Sequence, residues 1–320
     1  MTKDNVKKFF SSYFSWLLVI AEFLLFALLS DTFGSWRNIM TISRQVCVTC
    51  VLAFGVCYVM LSGGMDLSVG STVSMVGVIV AKCYAELGLP IPVSILGGLL
   101  TGALIGFLNG FLITRTKMPP IIGTIGMQQV IAGLALLITN GNPVYKIGND
   151  WKWIAQGNIA GTIPVPLIFV AIVGAITIFV LTKTYFGRHI YACGSNSEAA
   201  RLSGIKVDRV HVIAYVISGL LAAVAGIILM SRVNSGQPTG GQGLETDVLT
   251  ALVIGGISFS GGQGKIINVL SGSLVIGILS NGLVNIGMTE FWQKFIKGCV
   301  LLLAVGLDAI QHNRKYRGKK

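Results

Sequence analysis

The sequence predicts an all-α membrane protein, a bundle of about ten transmembrane helices, from three observations. Of the 320 residues, 53% are hydrophobic and 11% are charged, whereas a soluble domain carries about 25% charged residues. Apolar stretches close to the roughly 20 residues that a bilayer-spanning helix needs recur along the chain. Glycine is abundant at 41 residues, and small residues let membrane helices approach one another closely.

Ten apolar stretches define the predicted spans, and an even number of crossings puts both termini on one side. The first stretch follows several lysines, as in a signal peptide. It is longer than the apolar part of such a peptide and no small-residue cleavage site follows, so we expect a retained helix. The spans are 14–30, 46–62, 68–86, 92–114, 119–138, 164–182, 212–230, 248–259, 266–286 and 291–310.

Lysine and arginine are distributed unevenly between the two sides of these spans. The segments on the side of the termini carry sixteen of them, and the opposite segments carry five. The positive-inside rule therefore predicts that both termini and the loop 183–211 are cytoplasmic. On the other side, the loop 139–163 contains Trp151 and Trp153, which we expect to lie at the membrane–water interface.

Two glycine-rich segments predict helices that are broken inside the bundle. Segments 63–70 (GGMDLSVG) and 255–262 (GGISFSGG) share two leading glycines, a serine and a last glycine. The span 248–259 is also too short to cross as a straight helix. Since both segments follow a crossing in the same direction, the pattern suggests a parallel duplication with breaks at matching places.

A few polar residues within the spans are candidates for a substrate pathway: Asp66, Ser68, Asn109 and Asn281. The primary role expected for Asp66 is to cap the helix that follows it. The two asparagines would equally serve as hydrogen-bonding links between helices. Glu22 lies in the middle of the first span, where an ionisable residue suggests function. Because no other buried ionisable group accompanies it, we favour a structural role, in which Glu22 pairs with a neighbouring helix or snorkels through a local defect of the bilayer.

Motifs for catalysis or metal binding are missing from the sequence. None of the three histidines has a metal-ligand spacing, and Cys47-x-x-Cys50 lacks a second cysteine pair and opens an apolar span. The segment FSGGQGK, ending at Lys265, resembles a phosphate loop but lacks its first glycine and the hydroxyl residue after the lysine. We therefore expect a protein that is not an enzyme, with no cofactor, no metal and no disulfide framework.

The longest charged stretch of the chain is 187–211. Ser195 and Glu198 have the spacing of a capping box, and Gly204 suits the position after a helix C-terminus. The pattern predicts a cytoplasmic helix of about two turns. Such a short helix is marginal by itself in water, so it needs packing against its own protein or a partner.

This helix also carries a resemblance to a known family. Glu198-Ala199-Ala200-x-x-x-Gly204 resembles the EAA coupling motif of bacterial ABC importer permeases, although the downstream Ile-x-Leu-Pro of that motif is absent. Together with GGMDLSVG at 63–70 and SGQPTGGQG at 235–243, it makes the chain similar to the ribose-type sugar permeases, in the branched-chain amino acid and monosaccharide permease superfamily. The similarity extends from about residue 40 to the C-terminus.

The resemblance implies a single permease domain, 1–320, in the bacterial inner membrane. Two permease copies, or one copy and a paralogue, would carry cytoplasmic ABC ATPase subunits and receive a monosaccharide from an extracytoplasmic sugar-binding protein. Membrane lipid would surround the bundle, and no nucleic acid is expected. The implied coupling residues are Glu198, Ala199, Ala200, Arg201 and Gly204, with Ser195 as the helix cap.

Two matters stay open at this point. A secondary carrier or facilitator that works without an ATPase is the alternative function, although a carrier does not need a docking helix. The sugar is also open, because similar permeases carry ribose, other pentoses, hexoses or autoinducer-2.

Overall fold

The computed structural model describes residues 3–317, and the side chains of residues 13–310. The terminal lysines and arginines counted above therefore lie outside the described side chains. The helices are α1 (Lys3–Leu29), α2 (Trp36–Leu61), α3 (Val69–Ala85), α4 (Ile91–Thr116), α5 (Pro120–Thr139), α6 (Lys152–Gln156), α7 (Val165–Lys183), α8 (Tyr185–Ser195), α9 (Ser197–Leu202), α10 (Val207–Val233), α11 (Leu244–Ile254), α12 (Asn268–Asn285) and α13 (Glu290–Arg317).

Ten of these helices overlap the ten predicted spans, and the all-α membrane fold is confirmed. Within the described part of the chain, six helices are long and apolar enough to cross a membrane alone: α2, α4, α5, α7, α10 and α12. The apolar part of α1 and the whole of α3 are shorter. The remaining two are α11, with only 11 residues, and α13, with 28 residues.

The central helix is α10, which packs against α2, α3 and α4. Its contact with α4 is a row of glycines at i, i+4 and i+8: Gly102, Gly106 and Gly110. A Cβ built on Gly106 would lie 2.2 Å from the carbonyl oxygen of Tyr215. The two backbones therefore touch, as small-residue packing in membrane helices allows.

The segment 62–68 between α2 and α3 runs back into the bundle along α10. A hydrogen bond of 3.0 Å joins His211 Nε2 to the Ser62 carbonyl oxygen, and Tyr215 donates to the Met65 carbonyl oxygen at 2.8 Å. From His211 to Ser218 the segment follows α10 over about 10 Å at 1.5 Å per residue. Consequently α3 begins inside the bundle, and α2 and α10 run antiparallel.

A second segment, 234–243, enters the bundle from the opposite end along α3. A Cβ on Gly236 would lie 2.6 Å from the Cβ of Ala81, and one on Gly241 would lie 2.1 Å from the carbonyl oxygen of Gly70. Gly241 also donates its N–H to Ser74 Oγ at 2.8 Å. Because eleven positions of α3 separate these contacts, the segment reaches about 16 Å into the bundle.

This geometry corrects the predicted duplication. The chain is interrupted at both predicted places, but 255–267 is a connection at the bundle end. The element that matches 62–68 is 234–243, since each follows a long central helix and precedes a shorter one. The two long helices, α2 and α10, are antiparallel, so the relation is inverted rather than parallel. Chance similarity among glycine-rich segments produced the wrong match.

The loop 140–164 corrects a second expectation. It contains a short 3₁₀ turn, Asn149–Trp151, then α6 and a two-stranded antiparallel pair, β1 (Asn158–Ile159) and β2 (Ile163–Pro164). Trp151 is completely buried, with its ring centroid 5.5 Å from that of Tyr84 in an edge-on contact. It is therefore a core residue and not an interfacial anchor. Trp153 is exposed, so only this tryptophan is free to lie at the interface.

For Glu22, one of the two expected structural roles, pairing with a neighbouring helix, is not seen. Among the described residues, its buried Oε2 atom has no hydrogen-bond partner, and no ion pair involves it.

The six cysteines are free thiols.

Candidate functional site

The short charged helix predicted from 195–204 is present as α9, but its cap is a different residue. The N-cap is Asn196, whose Oδ1 accepts a hydrogen bond from the Ala199 N–H at 2.9 Å. Ser195 is the last residue of α8, and its hydroxyl donates to the Tyr191 carbonyl oxygen at 2.8 Å. Both serine and asparagine are good caps. The sequence pattern therefore predicted the N-cap one residue too early, at Ser195 instead of Asn196.

The other end of α9 has the predicted stop. Gly204 has a φ of +85°, and the N–H groups of Gly204 and Ile205 donate to the carbonyl oxygens of Arg201 and Ala200 at 3.0 and 3.1 Å. These two bonds form a Schellman motif, which needs a left-handed residue at this position. Glycine is suited to that conformation because it has no Cβ.

The two faces of α9 differ in exposure. Ala200 is buried in the main core of the bundle, so its small side chain anchors the helix rather than facing a partner. Glu198 and Ala199 are exposed, and Leu202, which the sequence analysis did not single out, is 83% exposed. A large apolar side chain this exposed at the tip of a helix is typical of a contact surface. The sequence offered one indication of this role for Leu202, which is that it follows Glu198 by four residues and so lies on the same face of the helix.

Arg201 lies between two exposed carboxylates. Its guanidinium nitrogens are 3.9 Å from Glu198 Oε2 and 3.9 Å from Asp208 Oδ1. Exposed ion pairs at this distance contribute little to stability, about 0 to 1 kcal/mol. The three charges are therefore free to rearrange in contact with another protein.

The cap can be tested directly. Asn196→Ala should destabilise α9 by about 1 kcal/mol, because the Ala199 N–H loses its acceptor. Hydrogen exchange of the amides at 198–202 should then become about fivefold faster, which mass spectrometry measures. Ser195→Ala, the matched control at the residue first predicted as the cap, should leave exchange in α9 unchanged; the reverse ranking would restore Ser195 as the cap.

A cleft of about 760 Å³ adjoins α9, between the end of α4 and the start of α10. Arg115, Lys206 and Arg209 line it, and all three are exposed. Phe111 and Ile213 contribute apolar wall. The helix α9 thus stands beside a basic groove, and the two features form one continuous surface.

The base of α9 joins the bundle through a set of glycine contacts that we call the glycine joint: Gly63, Gly194, Gly261 and Gly262. A Cβ on Gly194 would lie 2.0 Å from the Leu61 carbonyl oxygen and 2.5 Å from the Gly262 nitrogen. The Gly262 N–H itself donates to the Leu61 carbonyl oxygen at 2.9 Å. The end of α8, the end of α2 and the turn 258–264 are therefore in backbone contact.

Tyr191 strengthens this joint by donating its hydroxyl to the Gly264 carbonyl oxygen at 3.0 Å. Burial raises the pKa of Tyr191 to about 12, so the hydroxyl keeps its proton at neutral pH and remains a donor. The phosphate-loop-like segment lies in the same turn. Its Ser260, Gly261 and Gly262 amides all donate within the protein, which leaves them unavailable for a phosphate.

Three of the four predicted pathway residues form one buried network. Asp66 Oδ1 accepts from the Ser68 hydroxyl at 2.7 Å and from its N–H at 3.1 Å. Asn109 donates to Ser68 Oγ at 2.7 Å, and Ser218 donates to Asp66 Oδ2 at 2.9 Å. Asp66 therefore holds the turn before α3 and ties it to α4 and α10, close to its predicted capping role.

The fourth residue, Asn281, lies elsewhere. Its Oδ1 accepts from Asn38 and Asn285, both at 2.9 Å, which links α2 to α12. None of the four residues lines either of the two large cavities. Their geometry favours the alternative role, hydrogen bonding between helices.

The sequence of this chain is similar to those of known transport proteins. A family model described as "Branched-chain amino acid transport system / permease component" matches residues 38–305. The ribose import permease protein RbsC of Bacillus subtilis (strain 168) is 42% identical over 287 residues, which cover 89% of this chain and 88% of that protein. RbsC of Escherichia coli (strain K12) is 36% identical, covering 96% and 99%.

The D-allose transport system permease protein AlsC of Escherichia coli (strain K12) is 34% identical and covers 96% of this chain and 94% of its own. No solved structure matches this chain. The matched family region contains α9 and the glycine joint. It also contains the two segments that fold back into the bundle, 62–68 and 234–243, which we call the re-entrant segments. The chain therefore belongs to the branched-chain amino acid transport system permease component family, together with these sugar permeases.

Proposed function

We propose that residues 1–320 form the membrane-spanning permease subunit of an ATP-driven importer for a monosaccharide, and that a separate ATPase subunit docks on α9. The observation that carries the proposal is the exposed face of α9, where Ala199 and Leu202 offer apolar contact beside Glu198. A secondary carrier has no need of such a projecting helix. The family membership supports the same function.

We infer that the α9 end of the bundle faces the cytoplasm. The lysines and arginines of the whole sequence favour this direction by the positive-inside rule, because the segments on the side of the termini carry sixteen and the opposite segments carry five. Among the described residues alone the difference is small. Eight lie at the α9 end, namely Arg115, Lys117, Lys183, Arg188, Arg201, Lys206, Arg209 and Lys265, and seven lie at the other end, namely Arg37, Arg44, Lys82, Lys146, Lys152, Arg232 and Lys294.

The remaining partners follow from this orientation. The extracytoplasmic sugar-binding protein would meet the end that contains the loop 140–164. A second permease copy or a paralogue would complete the transporter, as importer permeases work in pairs. Ribose is the first candidate for the sugar because the ribose permease of Bacillus subtilis (strain 168) is 42% identical, ahead of the allose and xylose permeases at 34% and 33%.

Reconstitution in proteoliposomes tests the function. The chain alone should accumulate no D-ribose, D-xylose or D-allose when ATP is supplied. Adding its cognate ATPase and sugar-binding protein should give ATP-dependent uptake of one of them. Calorimetry on the binding protein with the same three sugars is the parallel control, since its ligand should be the sugar transported. Accumulation by the chain alone would instead support the secondary carrier.

A further inference from the structure

A cavity of about 750 Å³ opens between the re-entrant segment 234–243, the first turns of α11 and the first half of α13. The helix α11 runs from this cavity to the glycine joint at the α9 end. With 11 residues it is about 16 Å long, so the cavity lies well inside a hydrocarbon core about 30 Å thick.

The wall of this cavity is polar where a lipid-facing wall would be apolar. Gln242 and Thr246 are exposed there, and the backbone of 239–243 is not helical. Asp247 and Lys297 form an ion pair at 2.8 Å across the cavity wall. Non-helical backbone and charged groups occur at membrane depth only inside protein or beside water. The opposite face of α13 carries exposed Leu303, which suits lipid.

We propose that this cavity holds the monosaccharide during its passage through the membrane, with Gln242, Thr246, Asp247 and Lys297 as its hydrogen-bonding groups. The proposal rests on the proposed function, and it adds the substrate-contacting residues. They differ from the four pathway residues predicted from the sequence, which bond to one another or to neighbouring helices. The cavity size lies within the usual range for small-molecule sites, roughly 300 to 1,000 Å³.

The chemistry of the wall fits a neutral polyol. A sugar hydroxyl both donates and accepts, and the wall offers an amide, a hydroxyl, a carboxylate and an ammonium group. The charges are already paired with each other, because Lys297 binds Asp247 and Lys294 binds Glu290 at 2.9 Å. The one lining carboxylate without a cationic partner, Glu245, accepts hydrogen bonds from Gln128 and from the Gly243 N–H. The site therefore offers mainly hydrogen bonds, which suit a neutral ligand.

The floor of the cavity is fixed by Glu245, which is 9% exposed. Its Oε1 accepts from Gln128 Nε2 at 3.1 Å, and its Oε2 accepts from the Gly243 N–H at 3.2 Å. A Cβ on Gly70 would lie 2.1 Å from Glu245 Oε2. Glu245 is therefore a positioning residue that joins the starts of α3 and α11, and its oxygens are already engaged.

Thiol labelling tests whether the cavity faces water. The Thr246→Cys and Gln242→Cys variants, assembled with the ATPase and binding protein in proteoliposomes, should react with a charged methanethiosulfonate at least tenfold faster than Leu303→Cys. The native chain under the same treatment gives the background from its own cysteines. Equal reactivity of all three variants would mean that lipid or the second permease covers this wall, and would overturn the proposal.

Transport measurements test whether the water-filled cavity binds sugar. In the same assembly, Thr246→Val and Gln242→Ala should lower uptake of the transported sugar at least tenfold. ATP hydrolysis stimulated by the sugar-loaded binding protein should stay within twofold of the native value. A purely structural role of these residues would lower ATP hydrolysis together with uptake. Unchanged uptake, or equal loss of uptake and hydrolysis, would overturn the site. Because labelling needs no transport, a native assembly without ATP-dependent uptake would count against the proposed function alone.

Discussion

Leu202→Asp should abolish stable binding of the ATPase subunit. Burial of a leucine side chain contributes about 1.5 to 3 kcal/mol, and Leu202 is 83% exposed in the free permease. The aspartate removes this contribution and adds a charge that must be desolvated. A loss of about 2 to 4 kcal/mol per copy weakens binding roughly 30- to 700-fold. Co-purification of the ATPase from detergent measures the effect.

The matched control is Leu87→Asp. Leu87 is 68% exposed but lies at the opposite end of the bundle, in the turn between α3 and α4. This variant should retain the ATPase fully. Full retention by Leu202→Asp as well would show that α9 is not the docking helix, whereas loss in both variants would point to a general effect of the added charge.

The local signals in the sequence predicted most of the fold. Apolar run length identified helices overlapping all ten predicted spans, because a bilayer imposes that length on a helix that crosses it. It did not reveal that α3 and α11 begin inside the bundle and are too short to cross alone. The glycine stop of α9 was also predictable, because φ near +85° at Gly204 strongly favours glycine. The cap was missed by one residue because Ser195 and Asn196 are both suitable, and only the end of α8 decides between them.

Long-range relations were not predictable. Nothing in the sequence indicates that 234–243 folds back along α3. Its glycines are typical of an ordinary loop, and only the structure shows their contacts with Gly70 and Ser74. For the same reason, Asp66 and Asn109 were interpreted as pathway candidates, although they bond through Ser68. The exposure of Leu202 also depends on which face of α9 packs against the bundle.

Gly194→Ala should leave the ATPase subunit bound to the permease but lower the amount of sugar transported for each ATP hydrolysed. The new Cβ would lie 2.0 Å from the Leu61 carbonyl oxygen, far inside van der Waals contact. The end of α8 must therefore move away from α2, and the bond from the Gly262 N–H to Leu61 is strained or lost. Overpacking of this kind costs about 1 to 3 kcal/mol. The docking face of α9 is not altered.

The expected result is at least a tenfold fall in sugar taken up per ATP hydrolysed, with normal ATPase co-purification. Gly133→Ala is the matched control, because the same change in α5 meets no atom within 4 Å and should leave the ratio unchanged. A thermal unfolding midpoint within a few degrees of the native value would exclude simple misfolding. Normal coupling in Gly194→Ala would mean that the glycine joint does not transmit the movement.

The reason to expect such a large effect is the path that leads from the joint. The turn 258–264 follows α11, the helix whose other end carries Glu245 and Asp247. The Leu61 carbonyl belongs to α2, which leads into 62–68 and thus to the start of α3 at Gly70. A displacement of α9 therefore acts on both re-entrant segments at once. Gly241 of the second segment touches Gly70 in the first turn of α3, directly after the first segment. We therefore expect a rigid backbone contact at Gly194 to move the cavity wall, and a loosened contact to absorb the motion at the bundle end.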